Sequence, residues 1–300
     1  MPIGLVATVL VTRLIPESHG APERLDLIGV ILVTAGVTAI VWALVRADQL
    51  GWSSAEILGT LLAGGLFVVA FVGWERCVAN PMVPLRLFRS RAFAFGNATT
   101  FFMMGAIFSG AFLIVQEFQF ARGYSPISTG VRLLPFFATP MFVSPVAGAM
   151  SDRIGRRPVM VVGLTLQALG FAWVAARGSL ATSWIEITLA LLVAGVGISM
   201  ALPTVPTSVL NTVAQAEMGK ASGVNYMAQR LGSVFGIAIG SAVFSAYGKL
   251  GTPESVTAGF RPALWGCVTF AVLAALTSMA IASRTRVEVE KTDAEVLASA

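Results

Sequence analysis

Eight runs of apolar residues dominate the sequence, and short clusters of charged residues separate them. Each run holds at least 18 residues without a charge, enough for a helix to cross the ~30 Å hydrocarbon core of a membrane. The runs are continuous rather than alternating, which favours helices over the strands of a membrane barrel. The sequence therefore predicts an all-α, polytopic membrane protein with spans at Leu27–Val45, Ile57–Trp74, Ala94–Gln116, Leu133–Met150, Pro158–Ala176, Ile187–Leu210, Leu231–Gly248 and Pro262–Ser283.

The composition agrees with a membrane protein, since 56% of the residues are hydrophobic and 12% are charged, against ~45–50% and ~25% in soluble domains. The net charge of +5 does not indicate a nucleic-acid partner, because the basic residues are spread over short loops. Cys77 and Cys267 give neither a disulfide framework nor metal-ligand spacing, and His19 is the single histidine. The sequence also lacks a Gly-x-x-x-x-Gly-Lys-Ser/Thr phosphate loop. We therefore expect no enzymatic activity, no cofactor or metal, and no ATP-driven pumping.

The densest cluster of charge between two spans is the segment Gly148–Arg157. So few polar residues between two spans require a tight helical hairpin, and Arg153, Arg156 and Arg157 place it in the cytoplasm by the positive-inside rule. Alternate crossing then assigns fourteen Lys and Arg residues to the cytoplasmic side and six to the outer side, as the rule requires. The sequence predicts a multi-pass protein of the plasma (inner) membrane whose tail, residues 284–300, is cytoplasmic.

Apolar and basic residues interleave between the second and third spans. The apolar members are Val83, Leu85, Leu87 and Phe88, and the basic members are Arg86, Arg89 and Arg91. This pattern suits a short amphipathic segment at the inner headgroup surface and equally a plain basic loop. In both cases the segment anchors the orientation of the chain rather than performing chemistry. Asp26, at the start of the first span, is expected to cap that helix.

Few ionisable residues lie at membrane depth, where they are costly and therefore functional candidates. Glu117 closes the third span, and Arg132 lies about two turns into the following helix. Either they pair across the outer hairpin and Glu117 carries a proton, or they are interfacial side chains that form an ion pair or snorkel. Asn225, Gln229 and Arg230 are predicted on one helical face, at i, i+4 and i+5, at the inner end of the seventh span. They suit a polar vestibule or an inner gate, and equally hydrogen bonding between helices.

Two further patterns concern packing. Gly232, Gly236 and Gly240 form a stripe of small residues at four-residue spacing, which favours close packing of the seventh span against another helix. The third span and its end are crowded with aromatic and methionine side chains, a minority of which are expected to line a pocket for an apolar compound. These side chains are Phe101, Phe102, Phe108, Phe112, Phe118, Phe120, Met103 and Met104.

The Gly148–Arg157 segment resembles the cytoplasmic loop signature of the major facilitator superfamily, Gly-x-x-x-Asp-Arg-x-Gly-Arg-Arg. The matching residues are Gly148, Asp152, Arg153, Gly155, Arg156 and Arg157. Their expected roles are close packing of a helix end for Gly148, contact with a helix N-terminus or an arginine for Asp152, and a tight turn for Gly155. The stretches 116–135 and 219–236 are similar to those of the 14-helix drug:proton antiporters of the EmrB/QacA type.

This resemblance implies a C-terminal six-helix bundle preceded by two extra central helices. Residues 1–24 are interpreted as the end of a truncated membrane helix and a linker, 25–91 as the two extra helices and the basic loop, 92–283 as the six-helix bundle, and 284–300 as the tail. In a transporter of this fold the substrate lies between two bundles, and the N-terminal bundle is expected to be absent here, so a longer chain would have to supply it.

The function that the resemblance implies is proton-coupled efflux of drugs or other amphiphilic compounds by alternating access. The implied partners are the lipid bilayer, protons and a small amphiphilic or cationic substrate, with the proton gradient as driving force and no nucleic acid. Two alternatives stay open: a carrier of the same superfamily for another small solute, and a non-transporting, truncated half-protein.

Overall fold

The computed structural model describes residues 26–78 and 81–281, and this part of the chain contains helices and no strands. Its long helices are α1 (Leu27–Leu50), α2 (Ala55–Cys77), α3 (Arg91–Gln116), α4 (Pro126–Ile154), α5 (Arg156–Arg177), α6 (Trp184–Leu210), α7 (Met218–Tyr247) and α8 (Pro253–Met279). All eight are long and apolar enough to cross a membrane, which confirms the predicted all-α class and the eight predicted spans. His19 and the predicted segments 1–24 and 284–300 lie outside the described residues.

Three helices, α4, α7 and α8, begin well before the charge-free runs that predicted them. The shift is largest for α7, which begins at Met218 rather than Leu231, and for α8, which begins at Pro253 rather than Pro262. The start of α8 has a proline in its first turn and a capping threonine, both of which favour helix initiation. The charge-free runs were too short as predictions because each of these helices continues through a charged residue that ends the apolar run.

Helices α1 and α2 form an antiparallel hairpin. The Asp26 carboxylate caps α1 by accepting a 2.9 Å hydrogen bond from the backbone N–H of Gly29, as predicted. The Trp74 indole near the end of α2 donates to the same carboxylate at 2.9 Å. A Cβ at Gly64 would lie 3.0 Å from the carbonyl oxygen of Gly36, so the two glycines allow the helices to approach closely.

Helices α3–α8 pack into one bundle, and the hairpin lies beside it with α1 against α7. Within the bundle α3 contacts α6, α7 and α8, and α5 packs between α6 and α8. The core is built from large side chains with almost no exposure, among them Phe118, Phe171, Leu191, Phe260 and Leu264. This core fixes the relative positions of α3, α5, α6 and α8.

The bundle has one poorly covered face, formed by α4 and α7. In the most apolar stretch of each helix, 56% of the residues of α3, α5 and α6 are buried, against 22% in α4 and 28% in α7. Large apolar side chains of α4 are strongly exposed, for example Met141 at 77% and Phe142 at 69%. The part of the chain that the structure describes therefore leaves an open apolar face along α4 and α7.

The helix ends meet at two ends of the bundle, and we call the one with the segment Gly148–Arg157 the signature end. The 3-10 helix Leu85–Arg89 lies there, and its Arg86 forms a 2.6 Å ion pair with Glu217 between α6 and α7. Apolar side chains around this short helix, Val83 and Leu87, pack against the bundle. The segment in which apolar and basic residues interleave therefore packs partly against the bundle, and its other arginines, Arg89 and Arg91, lie on the surface.

Candidate functional site

A groove opens in the face between α4 and α7, with α3 and α6 as its floor. Its volume is about 320 Å³, at the small end of the ~300–1,000 Å³ of small-molecule sites. The side chains that line it are Met104, Ile107, Phe108, Phe136, Phe137, Pro140, Ile198, Leu202, Gln229, Arg230 and Ser233. Met104 and Phe108 belong to the set from which a minority was expected to line a pocket. The groove is a mostly apolar site with three polar side chains on one wall.

Arg230 is the charged member of this wall and lies near the middle of α7. It follows Met218, the first residue of the helix, by 12 residues, which is about 18 Å of helix. Its guanidinium carbon lies 4.7 Å from the centre of the Tyr226 ring and it donates a hydrogen bond to the Tyr226 hydroxyl. The predicted position at the inner end of the span is therefore wrong, because the helix continues for three more turns toward the signature end.

A chain of side-chain hydrogen bonds links α7 to α3 beside the groove. Gln229 donates from Nε2 to Oδ1 of Asn225 at 3.1 Å. Asn225 then donates to Oδ1 of Asn97 at 3.2 Å and to the hydroxyl of Thr100 at 2.9 Å. Asn225, Asn97 and Thr100 are all at least 95% buried, so these bonds hold α3 and α7 together in an apolar interior. Asn97 and Thr100 were not predicted, although their spacing of three residues in an apolar run places both on one face of α3.

The three polar residues of α7 do not share one face as predicted. Asn225 points into the α3 contact and is 4% exposed, whereas Arg230 is exposed toward the groove. Gln229 lies between them, since it bonds Asn225 and also lines the groove. The reason is angular: five residues along a helix rotate by 500°, so Arg230 points about 140° away from Asn225.

Glu117 and Arg132 do not form the predicted ion pair, and each has other partners. Glu117 is 2% exposed and begins a turn of π-helix, Glu117–Ala121, that continues α3. Its carboxylate lies 3.9 Å from Nε of Arg122 and accepts from the Thr257 hydroxyl at 3.3 Å. Arg122 in turn donates to backbone carbonyls of the α5–α6 connection. The cluster ties three chain segments together at the end opposite the signature end.

Arg132 is held by aromatic side chains instead. Its guanidinium carbon lies 4.0 Å from the centre of the Tyr124 ring and 5.7 Å from that of Trp184, and it bonds the backbone oxygen of Ser128 at 3.1 Å. The pairing of Glu117 with Arg132 is therefore wrong in this structure, and Arg122 is the basic partner of Glu117.

The signature segment is an abrupt hairpin. Gly155 alone separates α4 from α5, with φ of +89°, a conformation that favours glycine. When the Asn211 amide at the end of α6 is oriented with its oxygen toward α5, it accepts hydrogen bonds from the Arg156 guanidinium. A Cβ at Gly148 would meet no other described residue within 4 Å, so the close packing expected of Gly148 does not occur in this structure. Asp152, Arg153 and Arg157 lie on the surface of this hairpin.

The glycine stripe of α7 faces α3. A Cβ at Gly232 would lie 2.1 Å from the carbonyl oxygen of Phe101, and one at Gly236 would lie 2.3 Å from that of Gly105. Gly240 approaches the Ser109 hydroxyl in the same way. The stripe therefore sets the distance between the helices that carry the hydrogen-bonded chain and one wall of the groove.

The family of the chain follows from its similarity to known proteins. A model of the Major Facilitator Superfamily matches residues 94–298. The chain is similar to the Multidrug resistance protein Stp of Mycobacterium tuberculosis (strain CDC 1551 / Oshkosh), with 31% identity over 248 residues that cover 82% of this chain and 46% of that protein. It is also similar to the Tetracenomycin C resistance and export protein of Streptomyces glaucescens, with 30% identity over 243 residues that cover 80% of this chain and 45% of that protein.

The chain thus spans about half the length of the curated relatives that it matches. The family model covers more than half of the chain and most of the bundle that carries the groove. This match and the eight membrane-spanning helices agree with the signature found in the sequence. The chain belongs to the Major Facilitator Superfamily.

Proposed function

We propose that this chain forms the C-terminal portion of a proton-coupled drug efflux antiporter of the 14-helix type. In this proposal, residues 25–91 form the two extra central helices, residues 92–283 form the C-terminal bundle, and the signature end and the tail lie in the cytoplasm. Two relatives, one named for multidrug resistance and one for tetracenomycin C resistance and export, support the choice of drug efflux.

The observation that carries the proposal is the position of Arg230. A charged side chain near the middle of a membrane helix is costly in lipid and generally faces protein or an aqueous cavity. Arg230 and Gln229 line a groove that is otherwise apolar, which suits the binding of amphiphilic compounds. The open face of α4 and α7 is then the side that meets the opposing bundle, so that the groove forms half of a cavity with alternating access.

The proposal is tested by transport in everted membrane vesicles of a drug-hypersensitive bacterium that expresses the complete natural gene. The vesicles are energised so that an acid interior quenches a pH-sensitive dye. Addition of an exported drug is expected to restore fluorescence, because drug entry is coupled to proton exit. Arg230→Gln should reduce this signal for some compounds.

The matched control for that variant is Arg46→Gln. Arg46 lies over Trp42 on the peripheral hairpin, with 5.2 Å between the guanidinium carbon and the ring centre, in the same i, i+4 arrangement as Arg230 and Tyr226. It does not line the groove, so drug-induced proton exit should be unchanged. If no compound from a broad panel of drugs and dyes restores fluorescence, proton-coupled efflux is excluded.

A further inference from the structure

The polar wall of the groove carries a positive charge without a carboxylate partner in the described residues. Of the side chains that line the groove, Arg230 is the charged one. The ion pairs found in residues 26–78 and 81–281 join Arg86 to Glu217, Arg122 to Glu117, and Arg177 to Glu186, so none of them neutralises Arg230. The charge of Arg230 would repel a cation in this groove and attract an anion.

The hydrogen-bonding capacity of Arg230 points to the same ligand chemistry. A guanidinium has five N–H donors and no acceptor, and the Tyr226 hydroxyl takes one of them. The Tyr226 ring, whose centre lies 4.7 Å from the guanidinium carbon, and this hydrogen bond together restrain the guanidinium, so that the remaining donors are pre-organised. Such a fork matches the two oxygens of a carboxylate or sulfonate.

The rest of the groove suits the apolar body of such a compound. Phe136 and Phe137 of α4, with Met104 and Phe108 of α3, line the groove together with Arg230. Phe137 is 58% exposed and Phe108 is 43% exposed, so ring faces are available to a bound aromatic group. Flexible methionine and aromatic surfaces adapt to varied apolar shapes.

We infer that this groove selects amphiphilic organic anions, with the anionic group bound to Arg230 and the apolar body between α3 and α4. This inference rests on one part of the proposed function, namely that the groove is a substrate site. Two sources of the same chemistry exist: a dissolved organic anion and the headgroup of an anionic lipid that enters from the membrane.

The inference is tested with three probes that share one fluorophore: dansylglycine carries a carboxylate, dansylamide is neutral, and dansylcadaverine carries an ammonium group. Binding to the purified chain in phosphatidylcholine nanodiscs is measured by the rise in probe fluorescence. Dansylglycine should bind tightest and dansylcadaverine weakest. Arg230→Gln should weaken dansylglycine by about tenfold or more, as expected for a charge-assisted hydrogen bond, and should leave dansylamide within about twofold of its original affinity, as expected when a probe makes no bond to the lost charge.

Two further variants keep the result interpretable if Arg230→Gln folds poorly. Arg230→Lys retains the charge and should retain the preference for dansylglycine over dansylcadaverine, while Arg46→Gln should leave all three affinities unchanged. If phosphatidylglycerol in the nanodisc competes with dansylglycine, the bound anion is a lipid headgroup. If it does not compete, the bound anion is a dissolved compound.

Equal affinities for the three probes, or an unchanged dansylglycine affinity in Arg230→Gln, would overturn the inference. If drug-induced proton exit from vesicles is still observed in that case, the proposed function stands without it. If binding is selective and depends on Arg230 but no drug induces proton exit, the anion site is supported and the proposed efflux is excluded.

Discussion

The close approach of α7 to α3 at Gly236 predicts a loss of stability when this glycine gains a side chain. At Gly236 of α7, an added Cβ would lie 2.3 Å from the carbonyl oxygen, 2.6 Å from Cα and 2.7 Å from the carbonyl carbon of Gly105 on α3. All three are backbone atoms, so no side chain can rotate away to make room. To reach an ordinary contact distance of about 3.4 Å, the two helices would have to separate locally by about 1 Å.

The magnitude follows from two opposing effects. Overpacking of a well-packed interior costs about 1–3 kcal/mol, and separation also weakens the neighbouring contact of Gly232 with Phe101. Replacing glycine by alanine inside a helix returns about 0.5–1 kcal/mol. We therefore expect Gly236→Ala to lower the free energy of unfolding by about 1–2 kcal/mol.

The assay uses a thiol already present in the bundle. Cys267 is 2% exposed in the core of the bundle, whereas Cys77 is exposed. In a Cys77→Ser background, a thiol-reactive dye therefore reports unfolding through Cys267 as the purified protein is heated. Gly236→Ala should shift the transition to lower temperature.

Gly223→Ala is the matched control, because it lies on the same helix and a Cβ there meets no described atom within 4 Å. Its transition should stay at or slightly above that of the starting protein. If Gly236→Ala unfolds at the same temperature as Gly223→Ala, then α3 and α7 are not in close contact at Gly236.

Two other predictions concern the opposite ends of the bundle. Arg122→Ala should destabilise the protein far more than Arg177→Ala in the same thermal assay. The Arg122 side chain is buried and donates to the carbonyls of Ser179 and Thr182 at 2.6 and 2.8 Å, whereas the ion pair of Arg177 with Glu186 is exposed and contributes little. Equal effects of the two variants would contradict the buried cluster. Cys77 lies at the signature end, so an impermeant maleimide should label it in inside-out vesicles and not in intact cells; the reverse result would invert the proposed orientation.

The eight spans were predictable because each is decided by its own hydropathy. A helix in lipid satisfies its backbone hydrogen bonds internally, so a charge-free run of sufficient length predicts a span without knowledge of its neighbours. The beginning of α7 was not predictable in this way, because Lys220, Asn225, Gln229 and Arg230 interrupt the apolar run. The polarity of Asn225 is satisfied by Asn97 and Thr100 on α3, and sequence position does not reveal such tertiary partners.

The partner of Glu117 illustrates the same limit at shorter range. Arg122 lies five residues away, and the π-helical turn that joins the backbone N–H of Arg122 to the carbonyl of Glu117 brings the two together. In a regular α-helix, residues three and four apart are neighbours and residues five apart are not. Arg132, which the sequence suggested as the partner, is instead held by the rings of Tyr124 and Trp184.

The spacing of residues on α7 connects its packing to its proposed recognition of anions. At 100° per residue, Gly232 and Gly236 lie 200° and 240° around the helix from Arg230, and Asn225 lies at about 220°. The glycines and Asn225 therefore share the face that contacts α3, as their close approaches and hydrogen bonds show. Arg230 must then point away from α3, into the open side that the groove occupies. The contact that fixes the distance between α3 and α7 thus also fixes the direction of the charge, so a variant that loosens this contact should also weaken charge selection in the groove.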